Sequence, residues 1–223
     1  MLSVYLVPLG RNRYELYTEP PDEAAEGTSH GQGPFRRQLH RLNERWREAV
    51  KAARRTDETA GRFARVRDWV VCRASETIAE QRTLWSLRSV ESAQLFYPSD
   101  VTESTVTAVR LRLLAHARRH HGIWLVIDGL LFVVSGLFML IPGPNVFAYY
   151  FGLRLIGHYL SWRGARQGLY GTAWHGCAEP ALAELRELVD LSRESRAPRV
   201  AAIANGLHLP RLAAFFDRAA QHG

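Results

Sequence analysis

The chain is 223 residues long, 47% hydrophobic and 23% charged, with a formal net charge of +7. That length supports one sizeable core, or a domain with an appendage, without staples. Its two cysteines, Cys72 and Cys177, stand far apart and outside any C-x-x-C pair, which argues against a disulfide framework and a cysteine-based zinc site.

A positive balance suits an anionic partner, either phospholipid or nucleic acid. Lys51 is the single lysine among 29 basic residues, however, so the charge reads more as a compositional bias towards Arg than as a binding patch. The start, MLSVYLVPLG, lacks a basic n-region and is broken at Pro8, and is expected not to be a signal peptide.

Residues 1–19 read as a small β-hairpin, Ser3–Leu9 and Arg13–Thr18 around the Gly10-Arg11-Asn12 break. Residues 20–34 are rich in Pro, Gly and acid and read as a flexible loop. The region 35–120 reads as amphipathic helix. Leu39, Leu42, Trp46 and Val50 share one face, Val66, Trp69, Val70 and Ile78 another, and 84–97 continues helix-like to Pro98. Asp100 precedes Glu103 by three residues, a capping-box-like start for a helix through Val106, Val109 and Leu113. The last region, 167–223, reads as helices, one opened by Pro180 and two more parted at Gly206–Pro210.

Region 121–166 is the most distinctive. Ile123–Ile141 is 19 residues long with Asp128 as its one charge, close to the roughly 30 Å of a bilayer core. Pro142-Gly143 suits the centre of a turn, Pro144 follows, and Asn145 can cap the returning helix Val146–Trp162. Arg110, Arg112, Arg118 and Arg119 precede this hairpin, and Arg163 and Arg166 follow it. The expectation is therefore a membrane-directed helical hairpin with both feet on one side.

Register singles out its polar residues. Asp128 lies 15 residues before Gly143 and His158 lies 15 after it, while Tyr150, Arg154 and His158 recur every four residues. Asp128, Arg154 and His158 are thus expected to meet inside the hairpin, either as a structural pair or as ion- or proton-handling groups.

The block IPGPNVFAYYFGLRLIGHYLSWRGARQGL resembles the family of mitochondrial K+-H+ exchange-related proteins, and SVYLVPLGRNRYELY is similar to that family's start. The most specific part is the P-x-P-N turn followed by Tyr149, Tyr150, Arg154, His158 and Trp162. The resemblance implies membrane association and a part in monovalent cation and proton homeostasis. It supplies no catalytic residues.

Other constellations are weaker. His116 and His120 share a helix face with no carboxylate to complete a metal set, and His175 with Cys177 lacks an obvious acid. Acids are interspersed with the arginines of 36–88, so nucleic acid is not indicated. Gly157, Ser161, Gly164 and Gly168 would permit close helix approach and self-association.

The reading is a mainly α fold with an N-terminal β-hairpin and a helical bundle carrying the apolar hairpin. It is not an enzyme, and it needs neither cofactor nor metal. The function expected is that of a membrane-associated accessory protein, in a bacterial cytoplasmic or mitochondrial inner membrane, contacting lipid and a transporter or a second copy. The alternative is a soluble helical interaction module whose hairpin is its hydrophobic core or docks a protein.

Overall fold

The structure is a computed structural model and describes residues 1–10, 12–19, 82–136 and 146–220. The expected loop at 20–34, the helices read over 35–81 and the turn Pro142, Gly143, Pro144, Asn145 lie outside the described residues. The chain forms two compact units. The first consists of Met1–Pro20, Arg82–Gly122 and Leu160–Gly223, and the second takes in Ile123–Tyr159.

The elements in chain order are β1 (Leu2–Pro8), β2 (Tyr14–Tyr17), α1 (Arg82–Leu87), β3 (Ser92–Pro98), α2 (Glu103–Gly136), α3 (Val146–Tyr170), β4 (Ala173–Glu179), α4 (Pro180–Leu188), α5 (Arg193–Gly206) and α6 (Leu212–Ala220). The N-terminal hairpin is present, with Tyr5 opposite Tyr17 and Pro8 opposite Tyr14. It forms half of a four-stranded sheet ordered β2-β1-β3-β4, in which β1–β3 and β3–β4 run parallel.

Alternation along β1 explains why this sheet is covered on both faces. Val4 and Leu6 join a core with Ala93, Leu95, Leu87, Val106, Val109 and Leu114. Val7 enters another with Leu182, Leu185, Leu188, Val200, Leu212 and Phe216, against which Tyr5 and Phe96 stack at 4.8 Å. Helices α1 and α2 therefore line one face, and α4, α5 and α6 the other. Fully burying each Leu or Phe stabilises the unit by roughly 1.5–3 kcal/mol.

Two strands differ from the sequence expectation. The stretch read as helix up to Pro98 is helical over Arg82–Leu87 and then becomes β3, because Ala93 and Leu95 alternate into the sheet core. Segment 173–179, in the region read as helices, is β4. The start of α2 also differs. Val106 N–H donates to the Thr102 carbonyl at 3.0 Å, so the first turn closes on Thr102, while the Asp100 carboxylate accepts instead from Arg186 Nη1 at 2.7 Å.

The ends of the C-terminal helices follow their local chemistry. Pro180 opens α4, and the Glu179 side chain accepts from Ala181 N–H at 3.2 Å. Helix α5 closes with Leu209 N–H on Ala204 O and His208 N–H on Asn205 O, a Schellman pattern. His208 takes the left-handed position, at φ 58°, where glycine is usual.

The membrane-directed hairpin is overturned. Among the described residues no helix is long and apolar enough to cross a membrane. Helix α2 carries Arg110, Arg112, Arg118 and Arg119, and α3 is interrupted by Arg154, His158, Arg163 and Arg166. The lipid partner, the two membrane locations and the membrane-associated accessory role rested on that hairpin, and the same finding removes their support.

The small residues of α3 are used within the chain. Ser161 Oγ accepts from Trp85 Nε1 at 2.9 Å, and a Cβ on Gly168 would stand 3.2 Å from Leu114. At Gly164 the Leu84 carbonyl of α1 comes so close that an added Cβ would overlap its oxygen. Gly164→Ala is therefore expected to destabilise the protein by about 3 kcal/mol, because backbone rather than a flexible side chain must move. Urea unfolding checks this, and a loss under 1 kcal/mol would mean that α1 can shift away.

Candidate functional site

Helices α2 and α3 place a compact polar cluster in the second unit. Asp128 lies on α2 and Trp124 one turn before it. Tyr150, Arg154 and His158 lie at four-residue steps on α3, one above another on a single face.

The three residues singled out by register come together. Arg154 Nε donates to Asp128 Oδ2 at 3.2 Å. His158 Nε2 stands 3.4 Å from the same oxygen and forms an ion pair only when the imidazole is protonated. Arg154 Nη1 donates to Tyr150 OH at 3.2 Å, which fixes the guanidinium from its other side.

Aromatic faces complete the enclosure. The Arg154 guanidinium carbon lies 5.2 Å from the Trp124 ring and 5.5 Å from that of Tyr150, and the Trp124 and His158 rings stack at 6.3 Å. Each cation–π contact contributes roughly 0.5–2 kcal/mol. Trp124 was not among the residues singled out by register. Its spacing of four from Asp128 was the available signal that it belongs to the cluster.

Burial raises the stakes. Asp128 is 0% exposed and the Arg154 side chain 28%, so the carboxylate carries most of the desolvation cost, of several kcal/mol per buried ion. Two nitrogens on Oδ2 offset that cost. Oδ1 is buried and has no hydrogen-bond partner. The cluster therefore combines a permanent cation, an imidazole and a carboxylate with one open acceptor, a set that can hold a proton or a small donor.

Around this polar centre the helix surface is inverted. Asp128, Ser135 and His158 are buried, at 0%, 2% and 7% exposure. Ile123, Val126, Ile127, Leu130, Val133 and Val134, spaced by threes and fours along α2, are exposed, with Leu130 at 64% and Val133 at 71%. The two cores described above are built around the sheet.

The remaining candidates are placed as follows. On α2 the His116 and His120 rings stack at 6.3 Å and His121 meets His120 edge-on at 5.1 Å, and among the described residues no group of three or more His, Cys, Asp or Glu is set to hold a metal. His175 and Cys177 lie two apart on β4, and Cys177 is a free thiol.

Removing one partner of the central pair tests its weight. Arg154→Met leaves the buried carboxylate without its permanent cation and should cost about 3 kcal/mol. Asp128→Asn keeps the shape and strands a partly solvated Arg, so it should cost less. Amide exchange over 124–135 reads the difference, and the reverse order would show that Arg154 is not what holds Asp128 in place.

Comparison with known proteins adds one finding. Residues 3–167 match the family model described as mitochondrial K+-H+ exchange-related, a stretch that begins in β1 and ends in α3 and includes the whole cluster. That description concerns ion exchange rather than covalent chemistry, in line with a protein that is not an enzyme. No curated protein and no solved structure matches the chain. With nearly three quarters of its length matched, the chain belongs to the mitochondrial K+-H+ exchange-related family.

Proposed function

We propose that this family member acts as a helical interaction module: it recognises the apolar face of a helix in a partner protein through the exposed stripe of α2. The observation that carries the reading is the inversion of polarity. Asp128 and Ser135 are buried while Leu130 and Val133 face outward. Monomeric surfaces rarely expose contiguous apolar patches unless something binds them.

The shape of the stripe indicates the partner. From Ile123 to Val134 it runs about 16 Å at about 1.5 Å per residue, three turns of α-helix, and its three-and-four spacing is the ridge against which a second helix packs. In this reading Asp128, Arg154 and His158 hold α2 and α3 in the rotation that turns the stripe outward. Membership of a K+-H+ exchange-related family makes a component of cation homeostasis the natural partner to look for.

A photocrosslinking side chain at Leu130 tests this in cells. Discrete protein adducts are expected, and they should vanish when Val126→Asp and Val133→Asp are added without loss of helix content. Absence of protein adducts, or adducts that survive both charges, would overturn the proposal.

A second reading, ion or proton handling by the Asp128–Arg154–His158 cluster, is favoured by one observation, the buried and unpartnered Oδ1 of Asp128. Titration with potassium chloride against choline chloride at equal ionic strength, read at the Trp124 indole N–H by NMR, separates the two. A potassium-specific shift that Asp128→Asn abolishes supports the second reading, and equal responses to both salts remove it.

A further inference from the structure

We propose that the open edge of β4 accepts an extended strand from a partner protein, with an acidic side chain of that strand pairing to Arg110. This surface belongs to the first unit and does not depend on the apolar stripe of α2.

Strand β4 is the last in the sheet order, and among the described residues it pairs with β3 alone. Ala173 N–H donates to Glu91 O at 2.8 Å, and in a parallel ladder alternate residues bond to the same side. Ala173, His175, Cys177 and Glu179 therefore turn their backbone groups to β3, and Trp174, Gly176 and Ala178 turn theirs outward. The strand itself runs seven residues in unbroken register with β3 and contains no proline or lysine. At the other edge β2 has only four residues.

Charge indicates which strand would fit. The Arg110 guanidinium carbon lies 5.0 Å from the Trp174 ring, on the side of the sheet where Trp174 packs. Its Nε is buried without a hydrogen-bond partner, and burial lowers its pKa, so Arg110 is a half-buried cation with no carboxylate paired to it among the described residues. Glu103, two turns earlier on α2, sits instead near Gly176, where a Cβ would be 3.5 Å from its Oε1. A strand laid along β4 would therefore carry Asp or Glu next to Trp174 and an uncharged residue next to Gly176.

A second copy of β4 does not supply that acid. Its one carboxylate, Glu179, has the same parity as Ala173, His175 and Cys177. When two such edges pair antiparallel through their outward groups, as a twofold-symmetric pair of edges does, Glu179 stays on the face opposite to Trp174 and Arg110. A heterologous strand meets the requirement, in the manner of β-strand addition.

The test uses the full chain and a capped nine-residue peptide of alternating Thr and Val with one central Glu. NMR should show shifts of the Trp174, Gly176 and Ala178 amides. Affinity should be about tenfold higher than for the same peptide with central Lys. Arg110→Gln should erase that preference while strand binding persists. Ala178→Pro removes an outward donor at an edge position that tolerates proline, and should abolish binding with the circular dichroism unchanged. A backbone N-methylated peptide tests the same pairing on the unaltered protein and should not bind. Equal affinity of the Glu and Lys peptides, no shift at β4, or β4 shifts that track protein concentration without peptide would each overturn the proposal.

Discussion

Two parallel neighbours in a sheet cannot be joined by a tight turn, and that constraint organises this protein. Strands β3 and β4 pair over seven residues, from Ser92 with Ala173 to Pro98 with Glu179, and the chain must travel back to the starting end between them. Helices α2 and α3 make that journey. The two helices are thus also the crossover of the sheet, and the placing of β4 depends on the outgoing and returning helices keeping a fixed relation.

That relation is held at both ends of α3. At its C-terminal end Gly168 lies close against Leu114 of α2, and Gly122 of α2 against Trp162, both within the first unit. In the second unit Arg154 reaches Asp128, with Tyr150 and Trp124 closing around the guanidinium. Apolar packing alone would let two such helices rotate or slip. A buried carboxylate that must find two particular nitrogens does not permit this, since a slip of one residue strands the charge.

How much of this could be read in the sequence depended on how local the signal was. The strands of the N-terminal hairpin, Pro180 as a helix opener and the break near Gly206–Pro210 were legible because turn and cap chemistry sits in adjacent residues. The meeting of Asp128 with Arg154 and His158 was legible for a different reason: counting outward from Gly143 gives register without any knowledge of packing. Strands β3 and β4 were not, because Ser92–Pro98 finds its partners in β1 and β4, and Ala173–Glu179 finds its own in β3, 81 residues away, so the pairing that makes them strands is not local. The membrane reading failed on surroundings. An apolar run suits a bilayer, a core or a partner equally well, and composition cannot distinguish them.

The separation between β3 and β4 also has a consequence in time. At about 5–20 residues per second, a ribosome needs several seconds to make the 81 residues that separate Ser92 from Ala173. Through that interval β1 and β3 can already pair, and β3 presents the edge that β4 will later occupy. The nascent sheet is thus open along the strand whose alternate residues, Ala93 and Leu95, form the core, so assembly has to outrun misplaced pairing at that edge.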